Sequence, residues 1–201
     1  VSLVRTHRRL FDADDAPSKA AILQRALTLF VRDGLCETSI RDIAHAAGYT
    51  NPALYKFFPS KEALALHLFE RCYGYVADSL AAAVAGDATF PHKLDALLAA
   101  FLDLIETDLD AVIYTNETLR QFWRKLPPSA RARSILTILR GLLEQGRRER
   151  AVRRELDVSL AIAVIVGGLS QIARMAYFKE LEKPYVSFLP SLRALMEGAL
   201  C

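Results

Sequence analysis

The stretch TSIRDIAHAAGYTNPALYKFF, Thr38 to Phe58, places two short helical segments on either side of a three-residue turn, GYT. Ile40, Ile43, Ala44 and Ala47 recur at helical spacing behind Thr38 or Ser39, either of which can cap the segment, and Gly48 ends it. Thr50 or Asn51 can cap a second segment. Pro52 is tolerated there because a first-turn N–H has no helical partner, and the helix is expected to run to about Phe57 before Pro59 stops it. Two helices joined by a short glycine-containing turn, the second carrying aromatic rings and a lysine, describe a helix-turn-helix. Leu54 and Phe58 would hold the second helix on the first, and the small Ala44 and Ala47 let the backbones approach. Thr50, Asn51, Ala53, Tyr55 and Lys56 then remain outward. Hydroxyls suit phosphate oxygens, lysine supplies charge, and Asn, Tyr and an alanine methyl can reach base edges in a major groove.

Longer helices flank this pair. Ser18 is placed to cap KAAILQRALTLFVRDG, with Gly34 at its C-terminal end, and Ser60 opens KEALALHLFERCYGYVADSLAAAV. Further helical segments follow. These are HKLDALLAAFLDLIETDLD, AVIYTNETLRQFWRKL, one long segment SARARSILTILRGLLEQGRRERAV, an apolar helix from about Asp157, and YVSFLPSLRALMEGAL, in which Pro190 is placed to kink or shorten the helix. Abundant Ala, Leu, Arg and Glu, few strand-like alternations, and 52% apolar residues in a chain of 201 fit an all-α protein with a sizeable core. The expected organisation is an N-terminal arm at 1–17, a three-helix DNA-binding domain at 18–64, and a larger helical bundle at 65–201.

The residues that carry this motif also carry a family resemblance. LFVRDG, T-S-I-x-D-I-A-x-A-A-G, A-L-Y-K-F-F and S-K-E-A-L, spanning about Ser18 to Phe69, resemble the DNA-binding domain of TetR-type transcriptional regulators. The resemblance implies a homodimer that reads a palindromic operator in double-stranded DNA, and a C-terminal bundle that binds a small effector whose binding releases the DNA. Position by position, it implies phosphate contacts near Thr38 and Ser39, Arg41 beside the groove, the recognition helix at Thr50, Asn51, Ala53, Tyr55 and Lys56, and a further phosphate contact from Lys61. The chain departs from the family pattern at Asn51 and Pro52, where a small or basic residue followed by glycine is usual.

The effector region is expected among the helices holding Phe101, Tyr114, Glu117, Trp123, Gln171 and Met175, since Trp and Tyr beside amides suit a mixed apolar and polar ligand. Aromatic, acyl and cationic compounds are all compatible with it. The run VSLAIAVIVGGLSQIA, Val158 to Ala173, is shorter than the roughly 20 residues of a membrane span and reads as a buried helix. Being apolar on nearly every side, it also suits a dimer interface, for which Ile138, Leu142, Ile165, Leu169, Ile172 and Ala176 are the candidates.

Other classes find less support. The cysteines Cys36, Cys72 and Cys201 are odd in number and widely spaced, which suggests neither a disulfide framework nor a zinc site. The pairs Asp42/His45 and His67/Glu70 fall short of a di-metal carboxylate set. No metal, cofactor or catalytic grouping is expected, and no export signal is legible, so a cytoplasmic protein is expected. A helical-bundle enzyme or a protein-binding adaptor are the alternatives. RTHRR, Arg5 to Arg9, reads as a solvated tail or a minor-groove arm, and RRERAVRR, Arg147 to Arg154, as a solvated loop.

Overall fold

The computed structural model describes residues 8–11 and 16–200, and all regular structure among them is helical. In chain order the α-helices are α1 (Arg8–Phe11), α2 (Pro17–Asp33), α3 (Ile40–Ala47), α4 (Asn51–Tyr55), α5 (Lys61–Ala83), α6 (Phe90–Thr107), α7 (Leu109–Phe122), α8 (Pro128–Ala132), α9 (Ile135–Arg148), α10 (Val158–Tyr177) and α11 (Leu189–Leu200), with 3₁₀ turns at Trp123–Lys125 and Tyr185–Phe188. The described residues form two compact units, one within 1–73 and 114–125, the other within 74–113 and 126–201. Helices α5 and α7 each contribute to both.

In the first unit, α2 begins at Pro17 behind Ala16, so Ser18 lies inside the first turn instead of capping it. Proline is pre-set for that position, and its missing N–H costs nothing there. Ile22, Leu23, Ala26, Leu27 and Phe30 form the buried face of α2, against which Ile43 and Ala44 of α3 and Leu54 of α4 close the core. Leu64, Leu68 and Phe69 of α5 and Phe122 of α7 complete it. Of the expected N-terminal arm, residues 8–11 form a short helix whose Leu10 and Phe11 are buried, with the Arg71 guanidinium donating to the Leu10 carbonyl at 3.3 Å. The remainder of RTHRR lies outside the described residues.

The second unit is built around α6, whose Leu94, Leu97, Leu98, Phe101, Leu104 and Ile105 are buried. It packs on α9, α11 and the Tyr185–Phe188 turn. Its first turn is satisfied from outside: Phe90 N–H donates to the Glu149 carboxylate at 2.7 Å, which holds that carboxyl below its ordinary range. The long helix expected from Ser129 divides into α8 and α9, because the buried Ser134 is extended and its hydroxyl accepts the Thr137 N–H at 3.2 Å, a new N-cap. At the C-terminal end a 3₁₀ turn precedes α11, with Pro190 in that helix's first turn.

Helix α10 is capped by Asp157, whose carboxylate accepts from the N–H groups of Ser159 and Leu160 at 2.8 and 3.0 Å. At 20 residues it is long and apolar enough to cross a membrane by length and composition alone. The expected buried helix is buried along one face. Val158, Ala161, Ile162, Ile165, Leu169, Ala173 and Ala176 pack inside, while Leu160 (68% exposed), Val164 (62%) and Phe178 (66%), the residue closing its C-terminal end, are open.

Candidate nucleic-acid interface

The helix pair is held by a ladder of local caps. Gly34 stands at φ 90°, a backbone region that favours glycine, and its N–H donates to the Phe30 carbonyl at 3.0 Å to close α2. Ser39 then opens α3 with a reciprocal capping box: Asp42 N–H donates to the Ser39 hydroxyl at 3.2 Å and Ser39 N–H to the Asp42 carboxylate at 3.0 Å. These bonds, led by the Ser39 hydroxyl at 2.6 Å, keep the Asp42 carboxyl below its ordinary range. Gly48 ends α3 in the left-handed conformation at φ 77°, and Tyr49 N–H returns to the Ala44 carbonyl at 2.9 Å.

Thr50 is the N-cap of α4, with extended backbone and no side-chain cap bond. The helix ends at Tyr55, earlier than the expected Phe57, since 56 and 57 belong to the turn that Pro59 imposes. Leu54 is its one buried residue. Phe58 beyond it is also buried, under the Lys19 ammonium at 6.0 Å from the ring centre and beside the His67 ring at 5.4 Å. Anchored in this way, α4 presents Thr50, Asn51, Tyr55 and Lys56 to the outside, Tyr55 being 51% exposed, with Ala53 half-buried among them. Arg41 is exposed on α3. Tyr49 in the turn and Phe57 after the helix add two partly exposed rings that the sequence reading did not select. Their only signal was an aromatic residue directly following a terminating glycine or preceding a buried one.

Three of the residues assigned to phosphate are occupied internally. Thr38 is buried and its hydroxyl donates to the Gly34 carbonyl at 2.8 Å, with the Leu29 carbonyl at 3.4 Å. Ser39 spends its hydroxyl on the capping box. The Lys61 ammonium donates to the carbonyls of Leu35, Cys36 and Thr38 at 2.8, 3.2 and 3.0 Å, which uses all three of its protons. The backbone of the α2–α3 turn, left without helical partners, supplies the acceptors.

The six residues proposed for the effector are divided between the two units. Tyr114, Glu117 and Trp123 belong to the first unit, Phe101, Gln171 and Met175 to the second. Tyr114 is a core residue whose hydroxyl donates to the Ala65 carbonyl at 2.9 Å, and Trp123 meets Tyr73 edge-on at 5.6 Å. Glu117 and Gln171 are exposed. The basic run is solvated at Arg148, Arg150, Arg153 and Arg154 and is also tied to its surroundings. Arg147 donates to the carbonyls of Arg154 and Leu156, and Arg153 to that of Ala199 at 2.6 Å, around an open concavity of about 600 Å³ lined by residues 150–154. Among the described residues no group of three or more His, Cys, Asp or Glu could hold a metal ion.

Of the interface candidates, Leu142, Ile165, Leu169 and Ala176 are buried within this chain, and Ile138 and Ile172 are half-buried. The open stripe of α10 is instead Leu160, Ala163, Val164, Gly167 and Gln171, with Leu136, Arg140 and Gly141 exposed on α9.

Residues 22–68 match the family model for bacterial regulatory proteins of the tetR family. The chain is 31% identical over 160 residues to the HTH-type transcriptional repressor KstR2 of Rhodococcus jostii, covering 74% of this chain and 76% of that protein. It is 26% identical over 157 residues to the fatty acid metabolism regulator protein of Bacillus subtilis, covering 77% and 81%. Among solved structures, it is similar in fold to the transcriptional regulator FadR from Bacillus subtilis in complex with stearoyl-CoA, with a TM-score of 0.69 and 21% identity over 88% of this chain and 96% of that one.

Proposed function

The chain belongs to the TetR family of bacterial regulatory proteins and is a DNA-binding transcriptional regulator, and we propose that it works as a homodimeric repressor released by an acyl thioester. The observation that carries the DNA-reading part is the outward set Thr50, Asn51, Tyr55 and Lys56 on α4, seated on the buried Leu54. Tyr55 and Asn51 are assigned to base edges, Arg41 and Lys56 to the backbone, with Thr50 at the helix start and Ala53 close to the groove wall. Ser39, Thr38 and Lys61 are assigned to scaffolding. Operator binding requires no reaction, and a regulator of this kind works in the cytoplasm.

The dimer is assigned to the open stripes of α9 and α10. Leu160, Val164 and Leu136 offer apolar area, and Ala163, Gly167 and Gly141 admit close helix approach. A twofold pairing of these faces would form a four-helix seam and set two α4 helices against successive major grooves, roughly 34 to 36 Å apart. Similarity to a fatty acid metabolism regulator and to a protein seen with stearoyl-CoA supports an acyl thioester as effector. Release then follows when the effector binds better to a form in which α5 is displaced, so that the groove spacing no longer matches.

Selection of bound duplexes from a random DNA pool tests this reading. Enrichment of an inverted repeat, lost on adding a long-chain acyl-CoA, is the expected outcome. A folded protein that enriches no sequence overturns the DNA-reading assignment, and enrichment indifferent to acyl-CoA overturns the effector assignment alone.

A further inference from the structure

We infer that Lys61 and Thr38 together form a positioning lock that sets the angle of the DNA-reading helix pair. Two residues 23 apart in sequence meet at one carbonyl, because Lys61 Nζ donates to Thr38 O at 3.0 Å. From there the bonds diverge. Lys61 reaches back to the carbonyls of Leu35 and Cys36 at 2.8 and 3.2 Å, and the Thr38 hydroxyl to that of Gly34 at 2.8 Å. The first turn of α5 is thereby tied to every bend of the α2–α3 connection.

That connection sets the direction in which α3 leaves α2. Gly34 has just ended α2 at φ 90°, and the Ser39 box begins α3 one residue after Thr38. Between these points the backbone carbonyls are outside any helical ladder, and one ammonium with three convergent protons satisfies three of them. Thr38 is 2% exposed, so its hydroxyl is sealed from a DNA ligand. The lock acts through α3 and α4: α3 packs on α2 and on α4, and a rotated α3 carries Asn51 and Tyr55 away from their register.

The inference rests on the DNA-reading assignment, and binding of two duplexes separates the possibilities. Labelled duplex enriched by the wild-type protein and a scrambled duplex of equal length are titrated by fluorescence anisotropy at several salt concentrations, with Lys61→Met, Thr38→Val and Thr38→Ser. A positioning role predicts that Lys61→Met and Thr38→Val lose about tenfold in affinity for the selected duplex, the scale of one base contact. For Thr38→Val it also predicts unchanged affinity for the scrambled duplex and an unchanged salt slope. Thr38→Ser, which keeps the hydroxyl, rescues.

A phosphate contact predicts the opposite pattern. Both duplexes would weaken together in Lys61→Met, with the slope shallower by about 0.9 per subunit, and that result overturns the inference. So does an unchanged ratio of selected to scrambled binding in variants that only melt earlier. If Lys61→Met does not fold, the Thr38→Val and Thr38→Ser pair decides by the same ratio. Failure of the wild-type protein to enrich any duplex is a failure of the DNA-reading assignment, seen before any variant is made.

Discussion

The Phe30 and Tyr114 rings lie stacked, centroids 5.8 Å apart and planes inclined by 12°, while the Tyr114 hydroxyl donates to the Ala65 carbonyl at 2.9 Å. One side chain of α7 is thus bound to both α2 and α5, the two long helices between which the helix-turn-helix is held. Burial pushes the Tyr114 phenol far above its ordinary value, so it remains a neutral donor at any pH the protein meets.

Tyr114→Phe keeps the ring stack and removes the hydrogen bond, for an expected loss of about 0.5–1.5 kcal/mol. Tyr114→Ala removes both, for about 3–5 kcal/mol. Urea unfolding followed by circular dichroism measures each. Equal losses would mean that the ring contributes little.

Tyr55→Ala and Lys56→Ala should leave stability within about 0.5 kcal/mol, as exposed positions do. Their effects on DNA should differ. Tyr55→Ala weakens the selected duplex by about 1–3 kcal/mol and relaxes preference at one base step, whereas Lys56→Ala weakens all sequences alike and lowers the salt slope by about 1 per subunit. Anisotropy titrations on matched and mismatched duplexes read both.

Leu160→Glu with Val164→Glu places carboxylates on the open stripe of α10 without touching its buried face. If that stripe is the seam, unpaired charge buried on association costs about 3 kcal/mol or more, a dissociation constant raised about a hundredfold. Sedimentation velocity should show monomer at concentrations where the wild-type chain is dimeric. An unaltered dimer would move the seam elsewhere.

Gly146 has no room for a methyl group: a Cβ there would lie 2.5 Å from Val152 Cγ2 and 2.7 Å from Phe90 Cδ2. Gly146→Ala should therefore cost about 1–3 kcal/mol through overpacking at the start of α6. Thermal unfolding checks it. Val152→Ala, which vacates part of the space, should recover part of the loss.

The capping box gives stability a definite acid limb. Asp42 is harder to protonate when folded than when unfolded, because Ser39 bonds its carboxylate, so its contribution is complete above the ordinary value of 3.8 and is lost as pH falls through the lower folded value. Ser39→Ala should lower the melting temperature at neutral pH and flatten the fall in stability on acidification. A pH profile parallel to that of the wild type would assign the acid limb to other carboxylates.

Much of the reading head was legible because its signals are local. Gly48 announces a left-handed stop, Ser39 and Asp42 stand at capping-box spacing, and Leu54 is the apolar residue of a segment whose other members are polar, small or aromatic. What the sequence leaves open is long-range. Lysine beside a helix start looks the same whether its protons go to phosphate or, as for Lys61, to carbonyls 23 to 26 residues away. Periodicity likewise shows that α10 has two apolar faces without saying which one the chain covers, and Ile165 and Leu169 lie on the covered one. The cap at Ser134 is silent in the sequence, because SARARSIL carries no glycine or proline to mark the break.

Helix α4 has five residues and a single buried side chain. A helix that short cannot sustain itself, since nucleation costs more than so few backbone bonds return. It is kept in shape by Leu54 beneath it and by the turns at either end. The side chains at 51, 55 and 56 therefore owe nothing to the core, and the core owes nothing to them. Descendants of this chain can exchange one operator for another by drift at 51 and 55 while the rest of the sequence stays still, which makes the address the protein reads its most readily inherited variation.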